Sequence, residues 1–258
     1  MKLPPGYRSL KVITPGPTFL VDLATRDHDE ANRFAVKRIA PRFEGDVEAR
    51  AQIATEASIL RHLAGQHAPE LVERGDDFLV THWVERDTGT FAPSRAREAF
   101  IALAELHRQG IVHGDLHAGN MLVEAETHRI VFVDFALAAL GEASSTAPQA
   151  GDVRGHYFTM APEIARGAPA TQASDVFALG ATLAALAFGT VLREPLHPAA
   201  MLAHAGSAAP DATRLLELLE GASPATAAAV RAVVATLAFE PSARPTALEA
   251  ATMARATK

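Results

Sequence analysis

The sequence contains no cysteine, which excludes disulfide scaffolds, thiolate zinc sites, iron–sulfur clusters and cysteine nucleophiles. A basic excess is also missing, because 24 Lys and Arg residues stand against 30 Asp and Glu residues, for a net charge of −6. This balance gives no electrostatic footprint for nucleic acid or an anionic membrane surface. We therefore expect neither of them among the partners of the protein.

Long hydrophobic runs are scarce as well. The longest extends from Leu179 to Leu192 and is shorter than the roughly 20 residues that a membrane-spanning helix needs. It predicts a buried core helix instead. The segment from Met1 to Gly6 lacks the apolar stretch of a secretory signal. A soluble, cytoplasmic protein without a membrane partner is the expectation.

What is present is an ordinary globular composition. The 258 residues are 48% hydrophobic and 21% charged, which excludes wholesale disorder. A chain of this length can form one large domain or two smaller lobes, each with a hydrophobic core.

The first third of the chain has the pattern of a small sheet with one helix. Phe19, Val21 and Leu23 recur at every second position, which is the period of a half-buried strand. Asp46 is suited to cap the start of an apolar-periodic helix, and Gly65 is suited to end it. Strands are predicted at 9–13, 19–26, 33–40 and 78–84, an acidic turn at 27–30 and a helix at 46–64.

The rest of the chain is predicted to be mainly helical. The segment from Pro93 to Gln109 has the start and end signals of a helix, and short strands are predicted at 120–123 and 129–133. From Ala138 to Arg154 the residues are mostly Gly, Ser, Thr, Ala, Pro and Gln with little periodicity, which indicates a long loop. Ala- and Leu-rich helices follow it.

Polar residues that could carry chemistry cluster around two segments. His113 to Asn120 joins a predicted helix to a predicted strand, a position typical of catalytic loops. Asp134 directly follows the apolar residues of the next predicted strand. Together Asp115, Asn120 and Asp134 offer the oxygen ligands that Mg²⁺ prefers and one free base. Because phosphoryl transfer depends mainly on positioning and charge neutralisation, this set is suited to it.

In these segments the sequence resembles the protein kinase-like superfamily, and bacterial Ser/Thr protein kinases in particular. The superfamily's catalytic loop, His-Arg-Asp-Leu-x-x-x-Asn, corresponds to His113 to Asn120, and its Asp-Phe-Gly to Asp134-Phe135-Ala136. The further matches, in chain order, are Ala35-Val36-Lys37, Glu56, Ala161-Pro162-Glu163, the segment from Ser174 to Gly180, and Arg244-Pro245. The similarity extends from about residue 19 to residue 250.

The resemblance implies an α+β, bilobal fold that forms a single kinase domain over residues 1–258. A small, mainly β lobe with one helix would cover about 1–85, and a larger, mainly helical lobe about 86–258. Because the two lobes account for almost the whole chain, no appended sensor, membrane anchor or docking domain is expected.

The resemblance also implies roles for five residues. Lys37 would hold the α- and β-phosphates of ATP while paired with Glu56. Asn120 and Asp134 would bind Mg²⁺, and Asp115 would accept the proton of the attacking hydroxyl. ATP, Mg²⁺ and a protein substrate are therefore the implied partners.

An adenine site and two structural contacts are implied in the same way. The adenine residues would be Val21 and Ala35 above the ring, Leu122 below it, Thr81 at the rear pocket, and His82 and Val84 in the hinge, where backbone groups read the adenine edge. The structural contacts would be an ion pair of Glu163 with Arg244, and a brace of the catalytic loop by Asp175.

Several positions depart from the protein kinase pattern. The segment from Thr14 to Thr18 stands where a Gly-rich loop is expected, and its two prolines lack the backbone N–H groups that cradle phosphate. Gly114 replaces the catalytic-loop Arg, the arrangement of a non-RD kinase, so control by activation-loop phosphorylation is not expected. His117 and His156 occupy the positions of a Lys and a Thr that normally support a Ser/Thr-bearing peptide.

Three hypotheses remain open at this point. The first is an ATP- and Mg²⁺-dependent Ser/Thr protein kinase. The second is a small-molecule phosphotransferase, because His-Gly-Asp-Leu-His-x-Gly-Asn resembles the loop of aminoglycoside and choline phosphotransferases. The third is a pseudokinase that serves as a binding or scaffolding module, which the missing glycines suggest.

The spacing of His113 and His117 is also that of a zinc-binding helix. Gly114 occupies the position where that motif needs Glu, and Gly119 interrupts a continuous helix. His113 is therefore predicted to be a packed, hydrogen-bonded scaffold residue.

Overall fold

The structure, a computed structural model, describes residues 3–141, 157–193 and 197–256. The described residues divide into two compact units. The sheet unit comprises the described residues of 1–86 and 123–137, and the helical unit comprises the described residues of 87–122 and 138–258. A sheet-rich unit and a helix-rich unit in one chain confirm the predicted bilobal α+β class.

The elements follow one another in a simple order. The strands are β1 (Tyr7–Pro15), β2 (Phe19–Arg26), β3 (Asp29–Ile39), β4 (Leu71–Arg74), β5 (Phe78–His82), β6 (Ile111–Val112), β7 (Met121–Val123), β8 (Ile130–Phe132) and β9 (Ala139–Leu140). The helices are α1 (Val47–Leu63), α2 (Ala96–Arg108), α3 (Pro162–Ala165), α4 (Gln172–Phe188), α5 (Pro198–Ser207), α6 (Thr213–Glu217), α7 (Pro224–Thr236) and α8 (Ala247–Met253).

The first five strands form one antiparallel sheet in the order β1-β2-β3-β5-β4. Strand β2 has the predicted bounds, but β3 begins at Asp29, so the predicted start at Arg33 was wrong. Arg26 pairs with Asp29 across a tight turn, which leaves only Asp27 and His28 outside the ladder. Strand β4 was not predicted because its four residues, Leu-Val-Glu-Arg, do not alternate.

The sheet register sorts side chains onto two faces, since successive residues of a strand point to opposite sides. Val21 pairs with Lys37, and Ala35 pairs with Thr81, so these four residues share one face. The opposite face carries a hydrophobic core. Its buried residues are Tyr7, Ala24, Phe34, Val36 and Val80.

Helix α1 begins and ends one residue inside the predicted range of 46–64, and both predicted end signals are present. The Asp46 carboxylate accepts a hydrogen bond from the Ala49 N–H at 2.8 Å, which satisfies one of the free donors at the helix start. At the other end Ala64 and Gly65 both adopt positive φ angles of 46° and 81°, and the helix stops there. Ile53, Glu56 and other residues of one face are buried.

The loop after α1 fixes the strand that precedes Asp134. The Phe132 N–H donates to the His67 carbonyl at 2.8 Å. The His67 ring nitrogen Nδ1 also lies 2.8 Å from the Ile130 carbonyl. Two contacts at one residue therefore hold β8 against the loop after α1 and fix the position of its C-terminal end within the sheet unit.

The helical unit is built around α4, which carries the longest apolar run of the sequence. Thr171 and Ser174 form a reciprocal capping box at its start, and Gly189 ends it at a φ of 62°. Residues from Ser174 to Ala184 are almost all buried, which confirms a core helix over the first part of the apolar run. The helix ends at Phe188, so the predicted extent to Leu192 was wrong. None of the helices in the described ranges is both long enough and apolar enough to cross a membrane.

The helical unit differs from the prediction at the start of α2 and in two unpredicted strands, and most of one predicted loop lies outside the described residues. Pro93–Arg95 forms a short 3₁₀ turn, so α2 begins at Ala96 rather than at Pro93, with proline in its usual place at a helix start. Strands β6 and β9 were not predicted because each has only two residues. From residue 142 onward, the loop predicted at 138–154 lies outside the described residues.

Candidate active site

The sheet unit brings three of the predicted residues together in an ionic cluster. The Lys37 ammonium lies 2.6 Å from a Glu56 carboxylate oxygen and 2.5 Å from an Asp134 carboxylate oxygen. The side chains of Lys37 and Glu56 are 7% and 5% exposed, whereas that of Asp134 is 44% exposed. The pairing of Lys37 with Glu56 agrees with the resemblance. The contact with Asp134, 97 positions along the chain from Lys37, had no signal in local sequence.

Each member of the cluster comes from a different kind of element. Lys37 is on the inner strand β3, Glu56 is on the buried face of α1, and Asp134 follows β8. Asp134 has a φ of 63°, a left-handed conformation that Asp tolerates better than most residues. The chain therefore turns sharply at the carboxylate, which is how the end of a buried strand can present a partly exposed side chain.

Burial and charge act in opposite directions within the cluster. Burial opposes the charge on Lys37, but the two carboxylates outweigh it, and the pKa of the ammonium is raised. Burial raises the pKa of the Glu56 carboxyl, although Lys37 beside it favours the ionised form. The cluster thus holds a cation between a buried carboxylate and a partly exposed one.

Phe19, which the sequence predicts only as part of a strand, lies against Lys37. The ring centroid of Phe19 is 4.7 Å from the Lys37 ammonium, within the range of a cation–π contact. The turn before Phe19 is tied down, because Arg42 Nε donates to the Pro17 carbonyl at 3.0 Å and the Ala40 N–H donates to the Thr18 carbonyl at 2.8 Å. This turn replaces the phosphate-cradling loop with a pinned hairpin.

The adenine residues implied by the resemblance are distributed over both units. Val21, Ala35 and Thr81 lie on the Lys37 face of the sheet, and Thr81 is buried. Strand β5 ends at His82, two positions before the predicted end, and the His82 N–H donates to the Glu70 carbonyl at 3.0 Å. Val84 lies just after the strand and is half-buried.

Leu122 belongs to the helical unit, at the centre of the short strand β7. Its side chain is half-buried. The adenine roles of these residues stay predictions, because the contacts described above determine only their places in the two units.

The helical unit holds the predicted catalytic loop. Asn120 Nδ2 donates to the Asp115 backbone carbonyl at 2.9 Å and to its carboxylate at 3.2 Å. The Gly119 N–H donates to His117 Nδ1 at 3.0 Å, so in the neutral ring the proton is on Nε2, 3.9 Å from the Asp115 carboxylate. Asp115 therefore has its carboxylate oriented by an amide and accompanied by an imidazole N–H.

Asp175 braces this loop, as predicted. Its carboxylate accepts from the His113 N–H at 2.7 Å and from the Gly114 N–H at 2.9 Å. Gly114 has a φ of 78°, a conformation that glycine adopts without steric cost. His113 is buried and its Nδ1 accepts from the Asp115 N–H at 3.3 Å, which confirms the scaffold role expected for it.

The predicted ion pair of Glu163 with Arg244 is also confirmed. The two side chains form a bidentate pair at 2.6 and 2.8 Å, and both residues are buried. This pair ties the residues after Ala161-Pro162 to the segment before α8.

Comparison with known proteins agrees with this geometry. The family model of the protein kinase domain matches residues 7–254. The chain belongs to the protein kinase domain family. It is 34% identical over 158 residues to a probable serine/threonine-protein kinase of Corynebacterium efficiens, which is 59% of this chain and 24% of that protein.

Two further relatives carry similar names. The chain is 30% identical over 170 residues to the probable serine/threonine-protein kinase PkwA of Thermomonospora curvata, covering 60% of this chain and 22% of the relative. It is 28% identical over 201 residues to the serine/threonine-protein kinase PrkC of Bacillus subtilis, covering 72% and 31%. This kinase domain thus spans less than a third of each of these relatives.

Asn120 and Asp134, one in each unit, carry oxygen donors of the kind that suits the Mg²⁺ that the family implies. Mg²⁺ prefers oxygen ligands and keeps several waters and phosphates in its shell. The hydrogen bonds of Asn120 Nδ2 to Asp115 leave the amide oxygen as the donor atom for a cation. The Asp134 side chain is 44% exposed, so it can reach a hydrated ion.

Proposed function

We propose that this kinase domain is a Ser/Thr protein kinase that transfers the γ-phosphoryl group of ATP to a hydroxyl group of a protein. One observation carries the proposal: a buried Lys37 held between Glu56 and Asp134 at 2.6 and 2.5 Å in a chain of the protein kinase family. Burying an ammonium and its two carboxylate partners costs desolvation free energy, and a role in phosphate binding would account for the presence of such a cluster.

On the nucleotide side, Lys37 neutralises the α- and β-phosphates while Glu56 holds it in place. Val21 and Ala35 contact the adenine, and the backbone beyond Thr81 reads its edge. The His82 N–H already donates to the Glu70 carbonyl, and the Trp83 N–H donates to the Arg33 carbonyl at 2.9 Å.

We assign the His82 carbonyl and the Val84 N–H to the adenine edge, and Leu122 to the position below the ring that the resemblance implies. In this proposal the His82 carbonyl accepts a hydrogen bond from the adenine, and the Val84 N–H donates one to it.

In the chemical step, Asp115 orients the substrate hydroxyl and accepts its proton. A bond forms between the hydroxyl oxygen and the γ-phosphorus, while the bond from the γ-phosphorus to the oxygen of the departing ADP breaks. Asn120 keeps the Asp115 carboxylate in one orientation through its bonds at 2.9 and 3.2 Å to the same residue. Alignment matters more than basicity here, because the proton leaves late in the reaction.

Asn120 and Asp134 are the proposed ligands of Mg²⁺. When bound, the ion supplies positive charge that neutralises the phosphates of the nucleotide. Gly114 provides no side chain for a phosphorylated activation loop, so we assign the domain to the non-RD kinases.

The loop chemistry also favours a second candidate, a small-molecule phosphotransferase. The imidazole N–H of His117 lies 3.9 Å from the Asp115 carboxylate, in a position where protein kinases carry a lysine. The protein kinase reading is preferred because the family model and the three relatives above are all protein kinases.

A labelled-ATP assay separates these possibilities. Purified protein with Mg²⁺ should label itself or a generic protein substrate, and Asp115→Asn and Asp134→Asn should each abolish the label. Asp27→Asn, a matched change in the exposed turn between β2 and β3, should leave labelling intact. Turnover of only aminoglycosides or choline would favour the second candidate.

Nucleotide binding is measured separately through Trp83, the single tryptophan of the chain. It precedes Val84 in the proposed adenine-reading segment, so ATP should change its fluorescence. If ATP neither changes this fluorescence nor raises the melting temperature, and no acceptor is labelled, the domain is a pseudokinase.

A further inference from the structure

Two buried arginines lie against the same aromatic ring in the helical unit. The guanidinium carbons of Arg244 and Arg193 are 4.8 and 5.5 Å from the ring centroid of Phe177. The two residues are 8% and 5% exposed, and Phe177 is fully buried. They provide an internal comparison, because their surroundings are alike in burial and differ in hydrogen bonding.

Arg244 shows what a completed arginine site looks like in this protein. Its Nη1 and Nη2 each donate to one carboxylate oxygen of Glu163, and each also donates to a backbone carbonyl. Its Nε donates to the Ala238 carbonyl at 2.8 Å. All five N–H bonds have acceptors, and the charge has a counter-ion.

Arg193, in contrast, has acceptors for the N–H bonds of only one of its three nitrogens within the part of the chain that the structure describes. Its Nη1 donates to the carbonyls of Tyr157 at 2.9 Å and Met160 at 2.7 Å, which uses both N–H bonds of that nitrogen. Nε and Nη2 are buried and have no hydrogen-bond partner in the part of the chain that the structure describes. No carboxylate of the described residues pairs with this guanidinium, and burial lowers its pKa to about 10.

The two nitrogens without partners form one edge of the guanidinium. The N–H bonds of Nε and Nη2 point in the same direction, and their spacing matches the two oxygens of a carboxylate or phosphate. Arg193 thus differs from Arg244 in having no carboxylate partner among the described residues, and its unpartnered edge is Nε–Nη2, whereas Glu163 pairs with Nη1 and Nη2 of Arg244. A buried, uncompensated cation is unfavourable for stability, and a two-oxygen anion is the group that would compensate it.

Arg193 lies beside the segment that follows His156, the position that supports a Ser/Thr-bearing peptide in the protein kinases that this chain resembles. Arg193 is anchored on the carbonyls of the segment from Tyr157 to Met160, directly before Ala161-Pro162-Glu163. Tyr157 and Met160 pack with Met201 of α5 in a small buried cluster. The domain has a net charge of −6, so an acidic protein segment would need a specific cation rather than a general field to be held.

We propose that the Nε–Nη2 edge of Arg193 binds the carboxylate of an acidic side chain that flanks the phosphorylated hydroxyl in the protein substrate. The proposal rests on the protein kinase function proposed above and narrows its substrate class to acidic segments. A phosphorylated side chain offers the same two-oxygen chemistry and is the other source to distinguish. Because the edge is covered without substrate, binding requires the covering atoms to move.

Matched peptides test the substrate preference. Otherwise identical Ser-containing peptides carry Glu, Gln or phosphoserine in turn at each position within four residues of the acceptor. We expect at least one position where wild type prefers Glu over Gln by about tenfold in kcat/KM, the size of one charge-assisted hydrogen bond. In Arg193→Met the preference should fall below about twofold, and Arg193→Lys should keep only part of it, since lysine lacks the paired edge.

Two outcomes of the peptide series are decisive against the proposal. Equal use of the Glu and Gln peptides by an active wild type, or a Glu preference that Arg193→Met retains, overturns it while the kinase function stands. A preference for phosphoserine alone assigns the edge to phosphorylated segments and overturns the carboxylate assignment. If wild type phosphorylates no peptide or protein, the proposed function itself fails.

A stability measurement tests the edge without relying on catalysis. Inorganic phosphate should raise the melting temperature of wild type relative to chloride at equal ionic strength, with ADP present so that the nucleotide site is filled. Arg193→Met should lose this shift and should be no less stable than wild type, because it removes a buried unpaired charge and keeps the side-chain volume. Lys37→Met should retain the shift. A phosphate shift retained by Arg193→Met, or one absent from wild type, contradicts the anion edge.

Discussion

Replacing Lys37 by Met isolates the electrostatic design of the Lys37–Glu56–Asp134 cluster. Without the ammonium, the Glu56 carboxylate stays buried and loses the counter-ion that lies 2.6 Å away. Asp134 is 44% exposed and can be compensated by water. The cost of the substitution therefore falls mainly on Glu56, which can avoid a buried charge only by binding a proton.

The cost of that proton sets an upper limit on the penalty. The ordinary pKa of the carboxyl is 4.5. Protonating it at pH 7 costs at most about 3.4 kcal/mol, since each pH unit above the ordinary pKa adds about 1.4 kcal/mol. At pH 5 the same limit is about 0.7 kcal/mol. We expect the stability difference between wild type and Lys37→Met to grow by on the order of 1–3 kcal/mol from pH 5 to pH 7.

The sign follows from proton linkage. Burial already raises the pKa of Glu56 in the folded state, and loss of Lys37 raises it further. Between the unfolded and folded pKa values the folded variant binds the proton and the unfolded chain does not. Stability of Lys37→Met is therefore retained at low pH and lost as pH rises through this window.

Urea denaturation of wild type and Lys37→Met at several pH values between 5 and 8 measures the effect. The double variant Lys37→Met/Glu56→Gln is the control, because this cluster then has no buried carboxyl left to titrate, and its penalty relative to wild type should not grow with pH. A penalty for Lys37→Met that is constant or shrinks as pH rises would refute the reasoning. So would an unchanged pH dependence in the double variant.

Three further predictions concern the elements that support the site. Asp46→Ala removes the cap of α1 and should lower the free energy of unfolding by about 1 kcal/mol in urea denaturation, with Asp46→Asn closer to wild type. Gly180→Ala should cost about 1–3 kcal/mol despite its better helix propensity. The reason is that the new Cβ would lie 1.9 Å from Thr236 Oγ1, so Thr236→Ala should recover part of the loss, and no recovery would contradict this contact. Gly114→Arg restores the residue usual in protein kinases at a φ of 78°, and should lower the unfolding free energy by roughly 1–2 kcal/mol, more than Gly114→Asn.

Local sequence signals predicted the elements whose stabilising interactions are themselves local. The caps of α1, the two-residue period of β2 and the apolar run of α4 each act within a few positions. All three elements are present, although α4 ends at Phe188, four residues before the end of its apolar run. The short strands β4, β6 and β9 were not predicted, because they depend on pairing with strands elsewhere in the chain and not on a local signal. Strand β4 has no periodicity of its own and exists because β5 offers it an edge to pair with.

Motifs predicted which residues belong to the candidate site better than they predicted its contacts. Lys37, Glu56 and Asp134 were each named from their sequence surroundings, and Lys37 was expected beside Glu56. Phe19 lies against the same ammonium at 4.7 Å, but a single aromatic residue at the start of a strand gives no indication of such a contact.

Composition, charge and the order of motifs thus indicated the classes of site that are excluded, the family and the candidate residues for chemistry. Tertiary structure alone decided which of these residues meet, how deeply each is buried and which donors lack acceptors. Arg193 and Arg244 make the difference plain, since both are ordinary arginines in the sequence. Only packing gives one of them a carboxylate and leaves the other with a buried open edge, because burial and partners depend on residues far apart in the chain.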